Sequence, residues 1–329
     1  MTKDISSYRP RLSDVSIQVL GMTVLLCLLV YATYLKNDRI FTPYGLQTLG
    51  RDIAILSLFA MGQGIVIIAG GIDLSVGSLT CFVGLNSILF LSPDYGLHWP
   101  LFAVLPLALA FSTSVGAMHG LLVCHLRLQP FMVTLCSLLI FRSLARGLTE
   151  DESRSYREVD LELFFWLGNG TALGVPVPVW ILGIVALALA FFMRSVVYGR
   201  YLYAIGYNLE AARFSGVRVH SLRIFAFALG GFLAGLAGLL EASNIQSVAP
   251  STSGMAYELH GITAAVLGGC ALRGGQGSIL GIVVGAGILK TLQRMIVFYG
   301  LGTHWTEAVV GLVLLCAVIA DALVKRRRG

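Results

Sequence analysis

Apolar runs long enough to cross a bilayer recur along almost the whole of this chain, and they constrain its fold more than any other feature. A run of about 18 or more such residues matches the hydrocarbon core. Ten candidate spans can be read, at 15–35, 50–69, 74–91, 99–124, 129–147, 176–193, 223–243, 257–271, 277–296 and 306–324. In lipid, only helices and closed barrels satisfy every backbone group within the segment, and runs of this length suit helices. The expected fold is therefore all-α, a polytopic transmembrane helical bundle forming one domain over 1–329. Composition agrees, since 57% of residues are hydrophobic, 12% are charged and the mean hydropathy is +0.83. Soluble domains are about a quarter charged. Two places are weak. The run at 257–271 is short and carries Glu258 and His260, while the second and third runs are parted only by a glycine-rich polar stretch.

Charge placement gives an orientation. Lys325, Arg326, Arg327 and Arg328 put the C-terminus in the cytoplasm by the positive-inside rule, and Arg194, Arg200, Arg213, Arg218 and Arg223 put the 194–222 loop on the same side. Four spans lie between, so the parity holds. The loop at 148–175 carries Glu150, Asp151, Glu152, Glu158, Asp160 and Glu162 against Arg154 and Arg157, and is expected outside. The N-terminus, with Lys3, Arg9 and Arg11, then falls in the cytoplasm. The net charge of +6 is not a nucleic-acid footprint, because the basic residues flank apolar runs instead of forming one stripe. The run from Val15 to Leu35 is too long for a signal-peptide core and is expected to remain as a span. Cys27, Cys81, Cys124, Cys136, Cys270 and Cys316 lie in or beside apolar runs without C-x-x-C spacing, as buried structural thiols would.

Between two long runs lies a polar island, residues 204–216. Asn208 is a good N-cap, Glu210 sits in the first turn, Arg213 is near the last, and Gly216 can take the left-handed C′ position. These signals define a self-capped helix of about two turns. Helices shorter than about 12–15 residues are marginal in water. It must dock on its own chain or on a partner.

The stretch Gly70-Gly71-Ile72-Asp73-Leu74-Ser75-Val76-Gly77-Ser78 places a carboxylate and two hydroxyls inside an apolar region, which implies a broken helix. Asp73 and Ser75 could cap the restarting helix, contact a substrate, or belong to an ordinary cytoplasmic turn. A weaker echo follows at Gly268-Gly269 and Gly274-Gly275-Gln276-Gly277-Ser278, in the manner of transporter half-repeats. Gly230, Gly231, Gly235 and Gly238 line the seventh run, and Gly281, Gly285 and Gly287 the ninth. Small residues at this spacing let helices approach closely, in a fixed bundle or at a sliding interface. His119, His125 and Arg127 read as interfacial anchors, and Glu241, Asn244, Gln246, Glu258 and His260 as solvated helix ends or an outward vestibule.

Absences narrow the function. The chain has no G-x-x-x-x-G-K-[ST] loop, no H-E-x-x-H, no G-x-S-x-G and no clustered His/Cys set, so it reads as a non-enzyme without a bound cofactor. Ion-coupled transporters bury several ionisable groups in mid-span, and here only Asp73 and Lys290 stand out. The driving energy is expected to come from another protein.

These motifs together resemble the membrane permeases of ATP-binding cassette importers for sugars, of the ribose, galactose and xylose type. The segment at 70–78 looks like that family's hallmark, Gln129-Pro130-Phe131-Met132-Val133-Thr134-Leu135 resembles its fifth-span entry, and Gly254-Met255-Ala256-Tyr257-Glu258-Leu259 with Ala264 to Gly269 resembles its late signature. Glu210-Ala211-Ala212 followed by Gly216 is similar to the loop that docks on the cytoplasmic ATPase. The resemblance implies a multi-pass subunit of the bacterial inner membrane working by alternating access. It would pair with a second permease subunit, identical or homologous, two ATPase subunits that use the ATP, and a periplasmic or lipoprotein sugar-binding protein. It implies coupling through Asn208, Glu210, Ala211, Ala212, Ser215 and Gly216, and a translocation pathway along Gly71, Asp73, Ser75, Gly77 and Glu258. Tyr207, His119 and His260 depart from the family's usual Gly, Asn and Asp. Branched-chain amino-acid permeases and ion-coupled secondary transporters are the alternatives.

Overall fold

Among the described residues of the computed structural model, seven helices are long and apolar enough to cross a membrane. The structure describes residues 12–93, 99–156 and 162–328, with backbone alone for 12–18, 303 and 320–328. Lys3, Arg9, Arg11, Arg157, Glu158 and Asp160 lie outside the described residues, and the side chains of 325–328 are likewise not described. The seven are α1 (Leu12–Lys36), α2 (Pro43–Ile68), α4 (Leu101–His125), α5 (Pro130–Thr149), α7 (Val177–Ser195), α10 (Val219–Ile245) and α12 (Ile279–Phe298). Between them lie α3 (Val76–Leu91), α6 (Glu162–Asn169), α8 (Val197–Tyr207), α9 (Leu209–Phe214) and α11 (Tyr257–Leu267), and α13 (Thr306–Arg328) closes the chain.

The ten predicted runs thus resolve unequally. The run at 257–271 contains only the 11 residues of α11, about 16 Å of helix against a core of about 30 Å. Glycines at 268, 269, 274, 275 and 277 cut it off from α12. The run at 74–91 begins its helix only at Val76. The polar face expected of a soluble helix is absent from α2, where every residue from Ala54 to Ile68 is buried. A helix apolar all round belongs in a core. α2 is that centre, packed by α10, α11, α12 and α7, while α10 also lies along α4. Outward-facing Leu20, Leu28, Ile184, Leu187 and Phe191 coat the periphery.

Small residues set the close crossings. A methyl at Gly231 or Gly235 of α10 would collide with Ser112 of α4, and one at Gly285 of α12 with Ala264 of α11. Three cysteines are buried, Cys81, Cys124 and Cys270, whereas Cys27, Cys136 and Cys316 are exposed, which corrects the uniform burial expected of them. Apolar runs on the rim of the bundle face outward, so apolar surroundings in sequence do not imply a core position.

Two short strand pairs tie loops at the end opposite α9. β1 (Arg154–Ser155) pairs antiparallel with β4 (Ser247–Val248), and β2 (Thr171–Ala172) with β3 (Val175–Pro176). Tyr156, fully buried, donates to the Gly84 carbonyl at 3.0 Å and anchors this loop on α3.

Candidate functional site: two half-helices and a capped helix

α2 serves as a ruler for depth. The Gln63 side-chain amide donates to the Asp73 carbonyl, the Phe59 ring lies 5.1 Å from that of Tyr257, and the Gly275 amide donates to the Ile68 carbonyl at 2.9 Å. At about 1.5 Å per residue, Asp73 stands about 8 Å and Tyr257 about 14 Å above the Ile68 end. After α2 the chain therefore climbs back into the bundle before α3 starts. This excludes the ordinary surface turn.

The ends of α2 and α11 are built alike. Gly70, at φ +77°, donates to Ile67 O at 2.8 Å and Gly71 to Val66 O at 2.9 Å; Gly269, at φ +89°, donates to Val266 O and Cys270 to Ala265 O, both at 2.9 Å. This is the Schellman pattern, which needs a left-handed residue after the helix. The echo read from the sequence is thus an echo in backbone geometry.

Inside the first break Asp73 gathers donors. Its Oδ1 accepts from the Ser75 amide at 2.8 Å and from the Ser75 hydroxyl at 2.6 Å, and the Ser78 hydroxyl donates to Ser75 O at 2.9 Å. Ser75 holds the N-cap position of α3 without a side-chain cap bond, so Asp73 orders the turn in its place. Asp73 Oδ2 lies 3.8 Å from His119 Nδ1, and His119 Nε2 lies 2.6 Å from Ser137 Oγ. Asp73 is 2% exposed, Ser75 and His119 0%. His119 is therefore no interfacial anchor. It faces the break from α4, with Ser137 of α5 behind it, and only tertiary packing could have shown this.

α3 and α11 meet tip to tip. A methyl on Gly77, in the first turn of α3, would overlap Gly254 O and the Glu258 carboxylate, and one on Gly254 would overlap Gly77 O. Glu258 lies in the first turn of α11 and faces that of α3, where both helix dipoles favour a carboxylate. Arg142 of α5 donates to Pro250 O at 2.8 Å and Ser253 O at 2.7 Å, holding the turns that lead into α11. Of the predicted pathway residues, Gly71, Asp73, Ser75, Gly77 and Glu258, the structure unites all but Gly71 around this meeting point. Gly71 packs below, where a methyl would press on the Phe227 ring and Val66.

Charge in the bundle is less sparse than the sequence suggested. Besides Arg142, Asp52 pairs with Arg294 at 3.0 Å, Tyr257 donates to Glu241, and His260 Nε2 lies 3.2 Å from Glu307. Asp52, Glu241 and His260 each face a partner on another helix, the usual condition for charge at membrane depth. Of the residues read as solvated helix ends or an outward vestibule, Glu241, Asn244, Gln246 and Glu258 are half-buried and His260 is buried, and the backbone here is tied down: the Asn169 side chain donates to Asn244 O and the Tyr156 amide to Gln246 O, both at 3.1 Å.

At the other end, the capped helix forms as its terminal residues dictate. The Asn208 side chain accepts from the Ala211 amide at 2.9 Å, and after Phe214 the chain closes with Gly216 at φ +80°, Gly216 donating to Arg213 O and Val217 to Ala212 O. Ala212 is buried on the bundle. Asn208, Glu210, Ala211, Ser215 and Gly216 are exposed, and so are Phe214 at 89% and Leu209 at 42%. The helix docks on its own chain through one residue and presents the rest.

Comparison with known proteins places this architecture. Residues 46–318 match the family model described as a branched-chain amino acid transport system / permease component. The chain belongs to that permease family. The ribose import permease of Escherichia coli K12 is 35% identical over 300 residues, 91% of this chain and 92% of the relative. That of Bacillus subtilis is 33% identical over 308 residues, 94% of each, and the xylose transport system permease of Escherichia coli K12 is 30% identical over 96% of this chain and 94% of its own. No solved structure matches. The permease is accordingly a multi-pass helical membrane protein.

At the end far from α9 the permease carries a clasp. Asp151 accepts from Arg146 Nη2 at 3.0 Å and from the Ser251 hydroxyl, joining the end of α5 to the turns before α11. The Ser251 hydrogen bond, and after it Arg146, hold the Asp151 carboxyl below the usual aspartate range. A carboxyl depressed on folding contributes stability above its unfolded value, about 3.9, and loses it as pH falls through the folded value. Asp151→Asn is expected to melt slightly below the parent at neutral pH and together with it well below that value; an equal gap at both pH values would refute the clasp.

Proposed function

We propose that this chain is the membrane-spanning subunit of an ATP-driven importer that moves a monosaccharide or similar small polar solute by alternating access. The ribose and xylose relatives support the solute class, and α9 carries the mechanism. A six-residue helix fully capped at both ends, with Phe214 and Leu209 exposed, is a surface prepared for a partner. Exposed aromatic anchors are what hot spots are made of. The partner is a cytoplasmic ATPase subunit, which binds the ATP; the permease binds none. A second permease subunit completes the pathway, and a periplasmic or lipoprotein binding protein delivers the solute.

In this reading α9 and both termini are cytoplasmic. Ten crossings follow if α3 and α11, with their re-entrant leads, count beside α13 and the seven long helices. Asp73, Ser75, Gly77 and Glu258 then lie at the level where the pathway must open and close, with Gly71 below them, their own polar groups largely satisfied within the chain. A low-affinity path suits a solute that must be released. Branched-chain amino acids remain the second reading, on the strength of the family model's description.

The test is reconstitution of the permease with its ATPase and binding protein in proteoliposomes. ATP-dependent uptake of ribose or xylose, without uptake of leucine, is expected; leucine uptake favours the second reading, and uptake driven by an ion gradient in the permease alone overturns the proposal. Within that assay Glu210→Arg and Gly216→Val are expected to cut uptake about tenfold while ATP hydrolysis and membrane insertion continue. Valine at φ +80° costs about 1–2 kcal/mol of backbone strain, confined to the end of α9.

A further inference from the structure

Two residues before the Asn208 cap, the permease has a contact made almost entirely of backbone. Gly206, in the last turn of α8, lies flush against the hydrogen bond between Gly275 N and Ile68 O, so that a methyl there would overlap both atoms. Gly274, at φ +91°, is close as well, though less so: its methyl would stand 3.0 Å from Gly206 Cα and 3.1 Å from Gly70 Cα. Gly275, at φ +75°, abuts the Tyr207 backbone, where a methyl would be 2.7 Å from N and 2.8 Å from Cα. One turn back, the Tyr203 hydroxyl donates to Gly277 O at 3.1 Å. Leu202 and Ile205 on the same helix are buried at 0% and 2%. Three segments distant in sequence, the end of α2, the end of α8 and the turn before α12, are thus pinned at one point.

We propose that this glycine joint is the transmission element of the permease, carrying displacement of α9 directly to the base of both helix breaks, with Gly206 and Tyr203 as positioning residues. The inference rests on the proposed ATP-driven function. Side chains can absorb a displacement by changing rotamer; backbone packed on backbone cannot, because interiors at this density do not deform continuously. Gly70 opens the break that leads to Asp73, and Gly274 and Gly275 lie in the turn that parts α11 from α12. A shift of α8 therefore reaches both half-helix systems without passing along α10. It acts on backbone hydrogen bonds, the one at Ile68 and Gly275 above all.

The experiment measures solute imported per ATP hydrolysed by the full complex in proteoliposomes. Tyr203→Phe removes one hydroxyl, and a hydrogen bond of about 0.5–1.5 kcal/mol net corresponds to about a twofold to tenfold change. We expect the ratio to fall within that range at unchanged hydrolysis rate, with the melting midpoint lowered by no more than the loss of that one bond accounts for. Gly206→Ala is expected to lower it at least tenfold. A role in folding alone would lower both rates together and leave the ratio where it was. If Tyr203→Phe keeps the parental ratio, the joint is not the transmission element, whatever Gly206→Ala does and even though wild-type uptake stands. If the wild-type complex shows no ATP-driven uptake, the functional reading itself falls and the joint with it.

Discussion

Asp73→Ala is expected to abolish ATP-driven uptake and lower the melting midpoint, whereas Asp73→Asn keeps part of both. Alanine leaves the buried Ser75 amide and hydroxyl without their acceptor, and His119 without its facing carboxylate. An unsatisfied buried group costs about 1–3 kcal/mol. Asparagine still offers Ser75 an oxygen but removes the charge facing His119. The same cluster makes a second comparison available, His119→Asn against His119→Ala. The amide can bond to Ser137 or Asp73, the methyl to neither. Uptake, insertion level and thermal unfolding measured side by side check this, and parental values for Asp73→Ala would show the cluster to be incidental.

Gly77→Ala is the other substitution with a large expected effect. The added methyl overlaps the Gly254 carbonyl and the Glu258 carboxylate, so the tips of α3 and α11 must separate. Overpacking costs about 1–3 kcal/mol where side chains can give way, and a main-chain carbonyl gives way least. Uptake should fall by more than tenfold in protein that still inserts. Gly50→Ala is the control, because its methyl would meet only Val179 Cγ2 at 3.5 Å and alanine favours a helix interior by about 1 kcal/mol. Equal uptake in the two variants would mean that the half-helices tolerate separation.

Much of this was legible along the chain. The caps of α9 rest on local bonds spanning no more than five residues, so Asn208 and Gly216 announced them. The break at Gly70-Gly71 and its weaker echo at Gly268-Gly269 were legible as glycine turns, but that both are left-handed helix caps of one kind emerged only from the backbone geometry. His119 was misplaced because the side of a helix that faces a break on another helix leaves no mark in its own neighbourhood. Arg142, Asp52 and Arg294 were overlooked because one charge in an apolar run reads as the edge of a span until its partner is seen.

The joint at Gly206 shows the same division. Its residues lie in three stretches of sequence, and each glycine alone reads as a turn or a packing residue. By itself the sequence determined a helical membrane bundle with one glycine-led break, a weaker echo of it and a short self-capped helix, since hydrophobic length and cap chemistry act over neighbouring residues. Only the tertiary structure decided that the tips of α3 and α11 meet, that Asp73 lies under His119, and that α8 rests on both breaks. Those outcomes depend on which backbones can approach, a property of pairs of helices that no single segment encodes.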